Sequence, residues 1–354
     1  MPLLTTTLGA YPKPEFVKIQ DWFNIPAGEA QADPTKSWVS SVEAMGDQAE
    51  EVFAKGTAQV IADQEEAGVD VVTDGEVRRE NYIHYHCRRL AGFDFENLTT
   101  KSVRNDAYSV ALPTIRAKVE ARKSDIGFLV KDWQAAQAIS KKPVKITIPG
   151  PLTICDTTYD DYYHDLKLAG RDLAEAVNKE VRALVDAGCT QIQIDEPVFA
   201  RHPLEALDFG IENLERAFHG VPKEVTRTTH MCCGYPDVID NLDYPKADQQ
   251  AYLDIAEVMD RAEVDAISIE DAHRHNDLKL LEIYAKKTIV FGSIAIAKSK
   301  IETVEEIRER LLQALEHIDA HRLVVAPDCG MGMLTRELAR AKLAAMCEAA
   351  QSVG

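Results

Sequence analysis

The chain is 354 residues long, 45% hydrophobic, and carries 58 acidic against 40 basic side chains, a net charge of −18. That length supports a large core, and the negative field repels phosphate backbones and anionic lipid surfaces, which excludes nucleic acid and membranes as partners. Seven cysteines in no disulfide-framework spacing, an N-terminus without a basic or apolar leader, and the lack of any run of about 18 apolar residues point to a cytoplasmic protein.

Short, β-branched, nearly continuous apolar runs alternate with longer stretches of helical periodicity. In chain order, a strand over 5–10 precedes a helix over 44–66, and a second strand covers 71–76. Residues 82–132 then interrupt the rhythm with aromatics, charges and two or three helix-like pieces, and read as an insertion over the mouth of the fold. The third strand covers 144–149, a helix covers 170–187, and the fourth and fifth strands cover 191–196 and 226–232. A helix over 249–261, a strand over 266–270, a strand over 288–294, a helix over 303–317, a strand over 322–329 and a helix over 334–349 complete the chain. Thr303 with Glu306 three residues later is a capping-box signature, and Ala187-Gly188 reads as a glycine-capped helix end. Apolar strands that alternate with helices predict parallel strands covered on both faces, and eight of them predict a (β/α)8 TIM barrel with an insertion after strand two. A doubly wound open sheet is the competing architecture, but no Gly-x-Gly-x-x-Gly follows the first strand. No linker or repeat divides residues 1–354, so a single barrel domain is expected.

Barrel active sites lie at the C-terminal strand ends, and the polar residues of this chain concentrate there. Strand two ends in Asp74-Gly-Glu76, strand four in Asp195-Glu-Pro197, strand five in His230-Met-Cys-Cys233, strand six at Glu270 and strand eight in Asp328-Cys329-Gly330. Imidazole, thiolate and carboxylate are zinc ligands. His230 and Cys232, two apart on an extended strand, share a face, and Cys329 and Glu270 complete a candidate set in which Glu270 is displaceable. His273 and His275 are alternatives to Glu270. A lone His-x-Cys is more often structural, and buried cysteines are often inert; ligands on three strand ends outweigh that reading. Cys233, Cys87, Cys155, Cys189 and Cys347 read as packing. Glu76 and Asp195 would recognise a substrate amino group or do acid–base work, the bland alternative being a salt bridge or helix cap. Gly150-Pro151 permits close backbone approach, to a ligand or within a tight turn, and Asp74-Gly75 could be only a turn. Arg78, Arg79, His84 and His86 read as solvated or structural.

Seven fragments together resemble the C-terminal catalytic barrel of cobalamin-independent methionine synthase, along essentially the whole chain. They are Thr6-Thr-Leu-Gly-Ala-Tyr-Pro12, Asp74-Gly-Glu76, Gly150-Pro-Leu-Thr153, Ile194-Asp-Glu-Pro197, His230-Met-Cys232, Ile269-Glu270 and Pro327-Asp-Cys-Gly330. The resemblance implies that His230, Cys232, Glu270 and Cys329 bind Zn²⁺. It also implies that Glu76 and Asp195 hold the amino group of a thiol such as homocysteine, with Gly9 and Ala10 beside it. The thiolate would then attack an activated methyl group. Three positions depart from the family pattern: Ala10 replaces a serine that contacts the amino acid, Ala297 replaces a strand-seven loop histidine, and Thr157, with Tyr159 nearby, replaces a tryptophan that stacks on folate. The family's N-terminal half is expected to be absent as well. These departures leave the methyl donor as a methylated folate or a corrinoid, with an accessory protein possible. Two other readings are a zinc-dependent alkyltransferase or lyase joining a thiol to another electrophile, as in epoxide:coenzyme M transferases, and a non-enzymatic metal-storage barrel. Uroporphyrinogen decarboxylase shares the fold class, but the zinc set argues against it.

Overall fold

The computed structural model describes residues 2–23, 34–103, 108–235, 238–241, 244 and 246–353. Its strands are β1 (Leu4–Thr5), β2 (Val72–Thr73), β3 (Leu90–Val103), β4 (Tyr108–Ala121), β5 (Val144–Pro149), β6 (Tyr159–Asp160), β7 (Gln191–Asp195), β8 (Thr226–His230), β9 (Ala266–Ile269), β10 (Thr288–Ile294) and β11 (Leu323–Pro327). Eight join side by side in the order β1-β11-β10-β9-β8-β7-β5-β2, and all of these pairings are parallel. A parallel bridge between Thr6 and Val71 closes the ring. The eight barrel strands of the sequence reading are therefore present, wound as an α/β barrel.

Parallel neighbours need crossovers, and helices such as Ala49–Ala67, Leu166–Asp186, Gln250–Arg261, Val304–Ala314 and Arg336–Ser352 supply them. Their ends follow local chemistry. The Asp165 carboxylate accepts from the Lys167 and Leu168 N–H groups at the start of Leu166–Asp186. Gly188, at φ +96°, turns the chain out of that helix. Thr303 and Glu306 form the reciprocal capping box. The stretch expected as one helix over 44–66 is two, Pro34–Met45 and Ala49–Ala67, because Gly46 at φ +52° opens a 3-10 turn between them.

Two differences from the sequence reading matter. The region 82–132 holds the short helix Tyr82–Cys87, a long antiparallel hairpin of β3 and β4, and the start of a helix Phe128–Gln137, where helix-like pieces were expected; residues 104–107 lie outside the described residues. Register irregularities between Ala91 and Phe93 and between Asp94 and Thr99 break the two-residue alternation that would have marked the hairpin. Several barrel strands are also shorter than their apolar runs. The ladder ends at Thr73, Asp195, His230, Ile269 and Pro327, and the polar residues that follow leave it. Gly9 at φ +109°, Gly75 at +66° and Glu76 at +55° make these exits in the left-handed region. The barrel thus delivers its functional groups on turns that sit directly on rigid strand ends.

Candidate active site

His230 closes β8, Cys232 follows two residues later, and Cys329 follows β11. The structure brings these three together: one ligand atom from each lies within 4.8 Å of the others. The His230 Nδ1 atom is 2.9 Å from the Ser268 hydroxyl, which fixes the ring so that Nε2 lies 3.3 Å from Cys329 Sγ. The two sulfurs are 4.0 Å apart. This trio is buried or nearly so. The Cys329 hydrogen bond lowers the Cys232 thiol well below its usual value, against burial and with help from His230. The same hydrogen bond, with burial, pushes Cys329 well up. The shared hydrogen bond thus favours the thiolate at Cys232 and the thiol at Cys329. Two sulfurs and an imidazole nitrogen suit a soft or borderline metal ion.

The carboxylates of Glu76 and Asp195 are both buried. Glu76 Oε1 accepts the Thr147 hydroxyl at 2.7 Å and lies 3.7 Å from Arg79. Gln193 Nε2 donates to Asp195 Oδ1 at 2.7 Å. Burial pushes Asp195 up to about 7, with the Glu76 charge adding to the rise and His230 opposing it. Burial likewise raises Glu76. Asp195 is the register partner of His230 across β7 and β8. The acid pair and the trio therefore share one end of the barrel, and a cation between the acids would relieve their repulsion. Gly9 is obligatory here, because a Cβ on it would sit 2.8 Å from Glu76 Oε1. Ala10 approaches Gly330 backbone to backbone, and its carbonyl accepts the Met331 N–H at 2.6 Å.

Glu270 is not brought into the trio. Its Oε1 lies 2.5 Å from Lys246 Nζ and its Oε2 accepts the Cys233 N–H at 3.0 Å. Neither histidine alternative takes its place. His273 Nδ1 is 2.6 Å from Asp328 Oδ2 while its Nε2 accepts from the Ala297 N–H at 3.1 Å, and His275 is an exposed partner of Asp271. The close approach permitted at Gly150 serves the protein itself: the Glu196 carboxylate fills the space where a Cβ would be and accepts from the Leu152 and Thr153 N–H groups. Asp74 Oδ1 accepts the Glu76 N–H at 3.0 Å, which makes Asp74-Gly75 the turn that sets Glu76.

Three side chains near the site, Ser268, Tyr82 and Lys246, were not singled out from the sequence, and Arg79 was read as solvated or structural. Arg79 is buried and not solvated; its Nη1 donates to the Thr147 carbonyl and hydroxyl, and its Nη2 to Asp74. Its lone signal was proximity to Glu76. Ser268 orients His230 and carries no motif. Tyr82 is held well above its ordinary value by burial first, then by the charges of Asp195, Cys232, Cys329 and Glu76. Lys246 holds Glu270. His84 and His86 are buried in the insertion beside Trp22 and Phe128, and burial pulls them down to about 4 and about 3, so both are neutral packing groups. No helix among the described residues is long and apolar enough to cross a membrane.

Comparison with known proteins agrees with this arrangement. The family described as "Cobalamin-independent synthase, Catalytic domain" matches residues 3–352. A methionine synthase of Saccharolobus solfataricus is 30% identical over 357 residues, covering 100% of this chain and 96% of that protein. One from Sulfolobus acidocaldarius is 30% identical over 343 residues, 96% of this chain and 89% of that protein. A B12-independent methionine synthase from Shewanella sp. W3-18-1, solved in complex with selenomethionine, superposes with a TM-score of 0.85 at 29% identity, covering 100% of this chain and 98% of that one. With that match over nearly the whole chain, the chain belongs to the family of cobalamin-independent synthase catalytic domains.

Proposed function

We propose that this protein is a zinc-dependent methyltransferase that converts homocysteine to methionine. The observation that carries the reading is the soft donor trio of His230, Cys232 and Cys329 set beside the buried pair Glu76 and Asp195. The similarity to methionine synthases, one of them solved with the product-like selenomethionine, supports it.

His230, Cys232 and Cys329 would hold the ion, with Glu270 an expected fourth ligand that lies outside their group in this fold. A bound zinc ion supplies charge that keeps a thiol in its thiolate form at neutral pH. The protein's residues do the rest. Asp195 and Glu76 take the substrate ammonium, which compensates two buried negative charges at once. Thr147 and Arg79 fix Glu76, and Gln193 fixes Asp195. Gly9 and Ala10 line the amino-acid end. The substrate is thereby held by its ammonium so that its sulfur is turned toward the trio, and orientation of this kind is a large share of the barrier in a two-substrate displacement. The sulfur electron pair forms the new S–CH₃ bond as the bond from methyl to donor breaks, with that pair leaving on the donor. The donor is a methylated folate or a methylated corrinoid.

The acid pair also separates this reading from transfer to a sulfonate thiol such as coenzyme M. Such a thiol brings a negative charge and no ammonium to two buried carboxylates, an arrangement that costs several kcal/mol in a desolvated site.

The test is zinc content and zinc-edge absorption of the purified protein, with and without L-homocysteine, followed by methionine formation from methylated folate and from methylcobalamin. The expected result is one zinc per chain, two sulfur neighbours rising to three with homocysteine, and loss of both in Cys232→Ser and Cys329→Ser. Zinc that does not respond to homocysteine, or a protein without zinc, refutes the proposal. Methionine from one donor and not the other assigns the methyl source.

A further inference from the structure

Glu76 follows β2, Asp195 ends β7, and the strand between them in the barrel is β5. The spacing of the two acids therefore depends on how the end of β5 is seated. On one side, the Thr147 hydroxyl of β5 donates to Glu76 at 2.7 Å. On the other, Pro149 is the register partner of Asp195, and the Gly150 N–H donates to the Asp195 carbonyl at 2.9 Å. The chain then turns into the short helix Pro151–Asp156. A helix start is ordinarily capped by the side chain of its own N-cap residue, but here that residue is Gly150, which makes no such bond. Pro151 has no N–H to satisfy, whereas Leu152 and Thr153 do. Both are taken by Glu196, the residue after Asp195. Its Oε1 accepts the Leu152 N–H at 3.0 Å, and its Oε2 accepts the Thr153 N–H at 2.9 Å and the Thr153 hydroxyl at 2.7 Å.

Glu196 is fully buried, and its carboxylate packs so closely on Gly150 that a Cβ there would lie 2.2 Å from it. Burying a carboxylate is costly even when it is hydrogen-bonded, and a serine or aspartate at position 150 would cap the same helix locally. What the cross-strand carboxylate adds is a tie between the turn after β5 and the strand end that carries Asp195. The Glu196 N–H extends that tie to β8, donating to the His230 carbonyl at 2.9 Å. We infer that Glu196 is a positioning residue that fixes the spacing of Glu76 and Asp195, and so the fit of this pair to a substrate ammonium. The inference rests on the proposed role of the acid pair and names what holds that pair in place. Both Glu196 oxygens are taken by the turn, so the residue acts through β5 and Asp195 and not on the substrate itself.

The test compares two thiols by titration calorimetry on the full chain: L-homocysteine, and γ-mercaptobutyrate, which is homocysteine without its amino group. Wild type should bind homocysteine the more tightly. Glu196→Gln keeps the size of the side chain but turns an NH₂ group toward the turn, which leaves one backbone N–H without its acceptor. Its preference for homocysteine should fall about tenfold, the scale of one lost hydrogen bond to a charged group. The fall should come from homocysteine alone, with affinity for γ-mercaptobutyrate unchanged and with KM for homocysteine rising more than kcat falls. A merely structural cap would instead lower thermal stability and weaken both thiols alike. Thr153→Val removes only the hydroxyl donor and should lower the preference in the same direction by a smaller factor; it decides the matter where Glu196→Gln does not fold. A folded variant that keeps the wild-type preference, or that loses both thiols equally, overturns the inference and leaves the acid pair's role standing. Wild type with no preference for homocysteine overturns that role, and the inference with it.

Discussion

Gly9 offers a direct test of how tightly the acid pair is built. Its φ of +109° lies where a side chain is strained, and an added Cβ would stand 2.8 Å from Glu76 Oε1 and 3.4 Å from Thr147 Cγ2. To regain ordinary contact the carboxylate must retreat by about 0.6 Å or more. It has little freedom to do so. Glu76 is itself at φ +55°, its amide is held by Asp74, its oxygen by the Thr147 hydroxyl at 2.7 Å, and Arg79 stands beside it. Gly9→Ala should therefore cost about 1–3 kcal/mol in backbone strain, and about 1–2 kcal/mol more in the weakened hydrogen bond to a charged group. The first effect belongs to the fold and the second to the substrate. Thermal unfolding should fall by several degrees, and KM for homocysteine should rise about ten- to hundredfold with a smaller change in kcat, since the Glu76 contact is made before and during transfer alike. Zinc content should stay at one per chain, because no ligand of the trio touches Gly9. A folded Gly9→Ala protein with unchanged KM would refute the assignment of Glu76 to the substrate ammonium. A loss of zinc would show that the acid pair and the trio are not separable parts.

Ser268→Ala removes the partner that orients His230 and should weaken zinc binding about 10- to 100-fold in a chelator competition; an unchanged affinity would mean that the ring is fixed by packing alone. Asp195→Asn should raise KM for homocysteine by tenfold or more at constant zinc content, as expected when one of two buried acids facing an ammonium loses its charge. Lys145 is buried on β5, and burial pulls it down to about 7, with Asp195 opposing. Its folded value lies below the unfolded 10.5, so the unfolded chain holds the extra proton between about pH 7 and 10.5, and this group makes the fold more stable as pH rises through that window. Urea midpoints at pH 7 and pH 9 should show a gain of about 2 kcal/mol in wild type relative to Lys145→Met; parallel changes in both proteins would show that Lys145 is charged in the fold.

The barrel was legible because its evidence is repeated. Eight apolar runs each read weakly, but their alternation with helical periods leaves few architectures. The polar residues after the strands were legible for the same reason: His230, Cys232 and Cys329 stand at strand ends, and strand ends of a barrel converge. What could not be read was anything set by side-chain competition. Glu270 occupies a strand end like the others, yet its carboxylate is taken by Lys246, which belongs to a segment with no motif. Arg79 read as solvated or structural because its charge carries no depth; only the fold shows it is structural, surrounded by Asp74, Glu76 and Thr147. The β3–β4 hairpin was missed because its bulges remove the alternation by which strands are recognised. Gly150 was correctly seen as a point of close approach, but sequence cannot say that the group approaching is Glu196.

The site's charges argue for its substrate more firmly than any single residue does. To hold a metal ion the trio must lose thiol protons, and the hydrogen bond between the sulfurs favours loss from Cys232 and opposes it at Cys329. Burial, with the Glu76 charge adding to it, likewise pushes Asp195 upward, which an ammonium beside it would oppose. Of the nearby basic groups, Lys13 is committed to Asp21 and Lys246 to Glu270, while Arg79 is shared between Asp74 and Glu76 and Lys145 acts on Asp195 from β5. Under the proposed function, that end of the barrel takes two positive charges, one at the soft donors His230, Cys232 and Cys329 and one at the carboxylates Glu76 and Asp195. In the proposed reaction a metal ion would satisfy the first, and a substrate ammonium the second. A substrate with a thiol at one end and an ammonium at the other joins the two demands, and this is the chemistry of homocysteine. A thiol bearing a second negative group would meet the trio's cation but leave the acid pair worse off than empty. On these grounds the electrostatics of the barrel mouth, beside the proposed metal site, support an amino-acid thiol as the proposed substrate.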